Sequence, residues 1–312
     1  MEKEKSIQET CNYLNNEIHN KLFKINHLNS ETEYVKAFTS LDVIDDCQNA
    51  IEEFENITGN SIQERSTLYI YGVLQALYCQ QDGLFHLYKA ISNVQMKNCY
   101  ELFNEFNFAH EIREVRDDIA GHPTNRKNGK EHYFIAKGSN TKDKFTYIGY
   151  TPAFRKVDVD LKSFISEQNK FTRTILNEIE KTIKRKIQMH KDEFKTLKLI
   201  DYTVSFHRSV QLVNRGINDA TRSFQFETGI NDITKNLESL LVELNKRYNN
   251  ATPPTLLEII RLINYIISKF NSWHINNELL FNPDAEIFMD SFGNQIYLLT
   301  ETLTEVDNEF SS

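Results

Sequence analysis

The chain has 312 residues, 40% of them hydrophobic, and a formal net charge of −8. That length and apolar content give one large or two modest domains with a real core, while the acidic balance excludes a surface coated throughout in nucleic acid. Only 10 Gly and 5 Pro punctuate the chain, which favours long helices over a many-turned β fold.

In chain order, helices are predicted over 4–27, 31–57, 62–94 and 97–120. The second carries Leu41, Ile44, Ile51 and Phe54 at helical spacing and stops near Gly59. The third is expected to bend at Asp82-Gly83, and the fourth to close on Gly121 and Pro123. The texture then changes. Two aromatic and β-branched runs, Glu131–Lys137 and Lys144–Tyr150, flank Gly138-Ser139-Asn140 and predict a β-hairpin over 132–150. Helical pattern resumes at Val159 and runs to Leu199, with further helices over 200–226, 230–248, 254–272 and 284–308. The expected division is a helical domain with its hairpin over 1–160 and a C-terminal helical domain over 161–312.

No apolar run approaches the roughly 20 residues that span a bilayer. Met1-Glu2-Lys3-Glu4-Lys5 lacks the apolar core of a signal peptide. Cys11, Cys47, Cys79 and Cys99 have no metal-binding or redox spacing and read as reduced thiols. A cytoplasmic protein with no membrane partner, cofactor or metal is therefore expected.

Charge is segregated along the chain. Between 123 and 156, eight basic residues stand against Glu131 and Asp143, a net of 8 − 2 = +6. Arg126, Lys127, Lys130, Lys142 and Lys144 are the candidates for contact with a nucleic-acid backbone. Tyr133, Tyr147 and Tyr150 offer either stacking surfaces for bases or a face that packs into the core.

This basic segment follows a distinctive turn: Arg116-Asp117-Asp118-Ile119-Ala120-Gly121-His122-Pro123. At ~100° per residue, Arg116 falls about 40° from Ile112, inside the stripe formed by Ala109, Ile112, Val115 and Ile119. Arg113 falls at the stripe's flank. Gly121 is expected to supply a permissive helix stop, and Pro123 to hold His122 extended. Two other pairs share the Arg–His spacing, Arg126 with His132 and Arg185 with His190. Both Arg residues are followed by Lys, and neither His sits just past a helix end.

Arg116, Asp117 and His122 resemble the motif of the HEPN ribonuclease family, an Arg followed by a polar residue, then a His four to six positions beyond. The family more often has Asn where this chain has Asp117. The resemblance covers about residues 35–125. It implies a HEPN-like helical bundle, here with an inserted or appended hairpin, and a metal-independent endoribonuclease whose two motifs face one another across a homodimer. In that reading Arg116 and His122 are catalytic and Asp117 orients them. The resemblance also implies a toxin or an antiviral defence effector, whose C-terminal helices could hold a regulatory protein partner. The alternative is a non-catalytic helical interaction or ligand-binding module.

Overall fold

The computed structural model describes all residues except 1–4, 21–22, 25–27, 29, 58–60, 105, 139, 152, 281 and 312, and not the side chains of 61–66 and 151. The chain is mainly helical with one small antiparallel sheet, and it forms two compact units, Met1–Arg185 and Lys186–Ser312. The division falls inside a helix, α6 (Leu161–Phe194), and not at 160. Leu161 and Ile165 are the reason, because they complete the core of the first unit.

The first unit begins with α1 (Ile7–His19), entered through a capping box in which the Ser6 hydroxyl accepts from the Glu9 amide and the Glu9 carboxylate accepts from the Ser6 amide. Helix α1 ends earlier than predicted, at an Asn20 with ψ of 127°; positions 4, 21–22 and 25–27 of that prediction lie outside the described residues. Next come α2 (Glu31–Asn56), capped by Ser30, and α3 (Ser61–Ser92). The expected stop at Gly59 also lies outside the described residues. Helix α3 runs unbroken through Gly83. A Cβ there would meet Ile44 Cγ1 at 2.9 Å and the Ser40 carbonyl at 3.2 Å, so this glycine permits close packing of α2 on α3 rather than a bend.

The predicted fourth helix is divided into a short α4 (Tyr100–Phe103), α5 (Asn107–Arg116) and a π-helical turn, Asp117–Gly121. The hairpin is present as β1 (His132–Ile135) paired with β2 (Lys144–Thr151), with His132 opposite Tyr150 and Ile135 opposite Tyr147. Ser139, in its predicted turn, lies outside the described residues. A third strand, β3 (Ala153–Asp160), pairs along β2 where loop and helix were expected. Most of β3 is exposed, so burial marks its period only at Val157 and Val159. Asp160 ends the strand and receives the Ser163 amide at 3.1 Å, starting α6.

The sheet lies on the helices through Tyr133, Phe145, Tyr147 and Val159, which join Ile51, Leu74, Ile112, Val115 and Ile119 in one core. Beside it runs a fully buried polar chain. Gln80 donates to Gln48 at 3.0 Å, Gln81 donates to Gln168 at 3.0 Å, and Gln168 donates to Gln80 at 2.9 Å. Buried amides persist only when so paired.

In the second unit, the helices predicted over 200–226 and 230–248 are α7 (Phe206–Asn218) and α8 (Ser223–Arg247). A 3₁₀ turn at Ala220–Arg222, started by Asp219, lies between them. Helices α9 (Pro254–Ile275) and α10 (Pro283–Ser311) follow. Arg247 is fully buried and donates to Asp307 at 3.1 Å and to the Leu197 carbonyl. Asp307 also receives the Leu199 and Ile200 amides at 2.9 and 3.0 Å. This centre ties α8, α10 and the Leu199–Thr203 turn together. Among the described residues no helix is long and apolar enough to cross a membrane.

Candidate functional site

The Arg–His segment is built on a widened helical turn. The His122 amide donates to the Asp117 carbonyl at 2.9 Å, an i to i+5 bond that fits one extra residue into the last turn. Asp118 and Ile119 consequently both point inward and are buried. His122 has φ −139° and ψ 52°, short of the extended conformation predicted for it. Its carbonyl accepts from the Asn125 amide at 3.0 Å, and that tight turn bends ψ despite the following proline. The His122 side chain is exposed.

Gly121 is not in the left-handed conformation expected of a helix stop. Its role is spatial: a Cβ there would lie 2.8 Å from Arg116 Nη1 and 3.0 Å from Asp117 Oδ1. The Arg116 guanidinium is thus folded along its own helix end, against the residue that precedes His122.

Arg116 is half-buried rather than buried, with a side chain 20% exposed. Its Nε and Nη2 both donate to Gln75 Oε1, at 3.0 and 2.9 Å, and Nη1 donates to Asp117 Oδ1 at 2.8 Å. The Tyr78 ring centre lies 4.3 Å from its Cζ. The buried arginine is Arg113, 5% exposed, one turn earlier. It donates to Gln81 at 2.9 Å and to Asp82, and it too lies 4.3 Å from the Tyr78 ring. Helix α3 and the aromatic residues Tyr100 and Phe103 wall this flank of α5. The periodicity of α5 carries no trace of that wall. A signal existed in the polar run Gln80-Gln81-Asp82, which interrupts an apolar helix and demands a partner.

Asp117 and Asp118 link the turn to the basic segment. Arg126 donates to Asp118 Oδ1 at 2.8 Å and lies 3.7 Å from Asp117 Oδ2, and the Tyr147 hydroxyl donates to Asp118 Oδ2 at 3.1 Å. Burial pushes the Asp118 carboxyl above its ordinary range, with the Arg126 bond and charge pulling the other way. Burial also raises Tyr147, helped by the Asp118 charge, and lifts Tyr133 to about 12 together with its hydrogen bond to Glu131. At Arg126 burial opposes the charge, but the Asp118 bond and the charges of Asp118 and Asp117 together outweigh it and strengthen the cation.

The basic candidates are mostly engaged. Lys127 pairs with Glu131 at 2.6 Å and Lys144 with Asp160 at 3.1 Å. Lys142 donates to the Glu55 carbonyl and to that of Ile57 at 2.8 Å, closing the C-terminal end of α2. Lys130 is exposed and has no ion pair among the described residues. Tyr133 and Tyr147 belong to the core, whereas Tyr150 is exposed beside Phe154. Arg116, Asp117, Arg126 and Asp118 therefore form one alternating charge chain, and the exposed His122 is not hydrogen-bonded to Arg116 among the described residues. No group of three or more His, Cys, Asp or Glu there is placed to hold a metal ion.

Comparison with protein-family models, with curated proteins and with solved structures gives no match.

Proposed function

We propose that the chain is a HEPN-like, metal-independent endoribonuclease that acts as a homodimer, with Arg116 and His122 as its catalytic pair. The observation that carries this reading is the Arg116 guanidinium, held against Gly121 and still 20% exposed, where Gly121 is the residue just before the exposed His122 imidazole. A fixed planar cation stabilises the charge that develops on a phosphorane. An imidazole suits proton transfer at physiological pH.

The reaction follows from those two groups. One His122 takes the proton of an RNA 2′-hydroxyl, whose oxygen attacks the adjacent phosphorus. The bond to the 5′-oxygen breaks, and the partner copy's imidazolium returns a proton to that oxygen. The products are a 2′,3′-cyclic phosphate and a 5′-hydroxyl. Arg116 steadies the equatorial oxygens, and Asp117 sets the direction of its fork. A toxin or antiviral defence effector held in check by a protein partner is the setting that this activity suggests.

A second reading has its own observation. Gln75 and Asp117 already engage Nε, Nη1 and Nη2 of Arg116, as a purely structural arginine would be. Wild type, Arg116→Ala and His122→Ala incubated with mixed RNA in chelator separate the two. The ribonuclease reading expects cleavage by wild type alone, and cleavage that survives both substitutions sinks it. Absence of cleavage by any form, with a dimer lost in Arg116→Ala, establishes the interaction module instead.

A further inference from the structure

An open cavity of about 810 Å³ adjoins the motif turn, walled by Tyr71 of α3, Pro123, and the segment Phe134–Lys137 at the end of β1. Two aromatic rings on this wall are exposed, Phe134 at 52% and Tyr71 at 38%. Neither belongs to the core cluster, and both line the same open cavity, where their faces are free for contact.

The third feature is backbone. β1 is an edge strand, since the sheet order is β1-β2-β3. The Ala136 amide donates to Thr146 on β2 at 2.9 Å, so the alternation of an antiparallel ladder turns Tyr133 and Ile135 toward the free edge. The Tyr133 amide is taken by the Pro123 carbonyl at 2.7 Å. Two residues on, about 7 Å along the strand, the N–H and C=O of Ile135 face the cavity side. A donor and an acceptor side by side match the edge of a nucleobase, while exposed aromatic rings match its faces. Lys137 adds a cation for the phosphate beyond.

We infer that this cavity is a nucleobase subsite for single-stranded RNA, seating the base next to the phosphate at Arg116 and His122. The inference deepens the ribonuclease reading and rests on it for the identity of the ligand. Addition of a peptide strand to β1 fits less well. The Tyr133 amide is already taken by Pro123, and β1 ends at Ile135, three residues before Gly138 turns the chain with φ 93°.

The test uses full-length protein and a 2′-O-methyl hexanucleotide that cannot be cleaved, compared by fluorescence anisotropy with the same backbone lacking bases. Wild type is expected to bind the base-bearing strand at least about fivefold more tightly, the low end of what one stacked base contributes. Phe134→Ala, with Tyr71→Ala as a second variant, removes that preference and leaves affinity for the abasic strand unchanged. Equal binding of both strands by wild type, or a preference that survives in both variants, overturns the subsite. Cleavage distinguishes the two proposals. His122-dependent cleavage with no base preference leaves the ribonuclease standing without the subsite. A Phe134-dependent preference with no cleavage leaves the subsite standing without the ribonuclease.

Discussion

Replacing Arg113 with alanine is expected to cost more stability than replacing Arg116, although only Arg116 belongs to the motif. Arg113 is the donor that satisfies Gln81 Oε1, and Gln81 is fully buried. Leaving that acceptor bare costs about 1–3 kcal/mol. Its other partner, Asp82, is 40% exposed and can recover water. Its share is therefore near the ~1 kcal/mol of a surface pair and not the ~3–5 of a buried one. The contact with Tyr78 adds about 0.5–1 kcal/mol. The total for Arg113→Ala is about 3 kcal/mol. Arg116→Ala strands the exposed Gln75 and the partly exposed Asp117, which water can serve, for about 1 kcal/mol, and its own contact with Tyr78 brings the loss to about 1.5–2 kcal/mol. Urea titration followed by far-UV circular dichroism reads the gap as a difference in midpoint at constant slope. The single tryptophan, Trp273, lies in the second unit and supplies a separate fluorescence signal. A loss for Arg116→Ala equal to or larger than that for Arg113→Ala refutes the assignment of Arg113 as the structural arginine and Arg116 as the available one.

Three further outcomes are expected. Gly121→Ala should displace the Arg116 guanidinium while changing stability by less than about 1 kcal/mol, because the clash is with the end of a flexible side chain and alanine favours the helix; an unchanged Arg116 Nε resonance in the NMR spectrum would count against it. Burial raises the folded pKa of Asp118 above its unfolded value, so its contribution is fully present below the unfolded pKa and is lost as pH rises through the folded one. The stability of Asp118→Asn relative to wild type should therefore increase from about pH 3 to pH 7, and a flat or falling difference in urea midpoint contradicts this. In the second unit, Arg247→Ala leaves Asp307 buried and unneutralised and should cost about 3–5 kcal/mol, read on the Trp273 fluorescence transition; a loss below about 1 kcal/mol would show that the pair is dispensable.

What the sequence disclosed was local. The turn signal around Gly138 and the aromatic runs placed β1 and β2 within a residue or two, and the spacing of Arg116, Gly121 and His122 brought them to one helix end. What it concealed was decided by neighbours distant in the chain. Arg113 is buried because α3 presents Gln81 and Asp82 to it, and no periodicity in α5 records that. Gly83 and Gly121 looked like helix breakers but are spaces for Ile44 and for a guanidinium. Strand β3 was missed because solvent covers most of it, leaving only Val157 and Val159 to show the two-residue period. The basic segment summed to +6, yet Arg126, Lys127 and Lys144 each meet an acid in three dimensions. Formal charge along a chain does not measure the field at its surface.

The chemistry of RNA ends tests the central claim most directly. Fragments released by wild type in chelator should carry 2′,3′-cyclic phosphates and 5′-hydroxyls, and none should form with His122→Ala. Fragments ending in 3′-hydroxyls and 5′-phosphates, or cyclic ends that persist without His122, would contradict it.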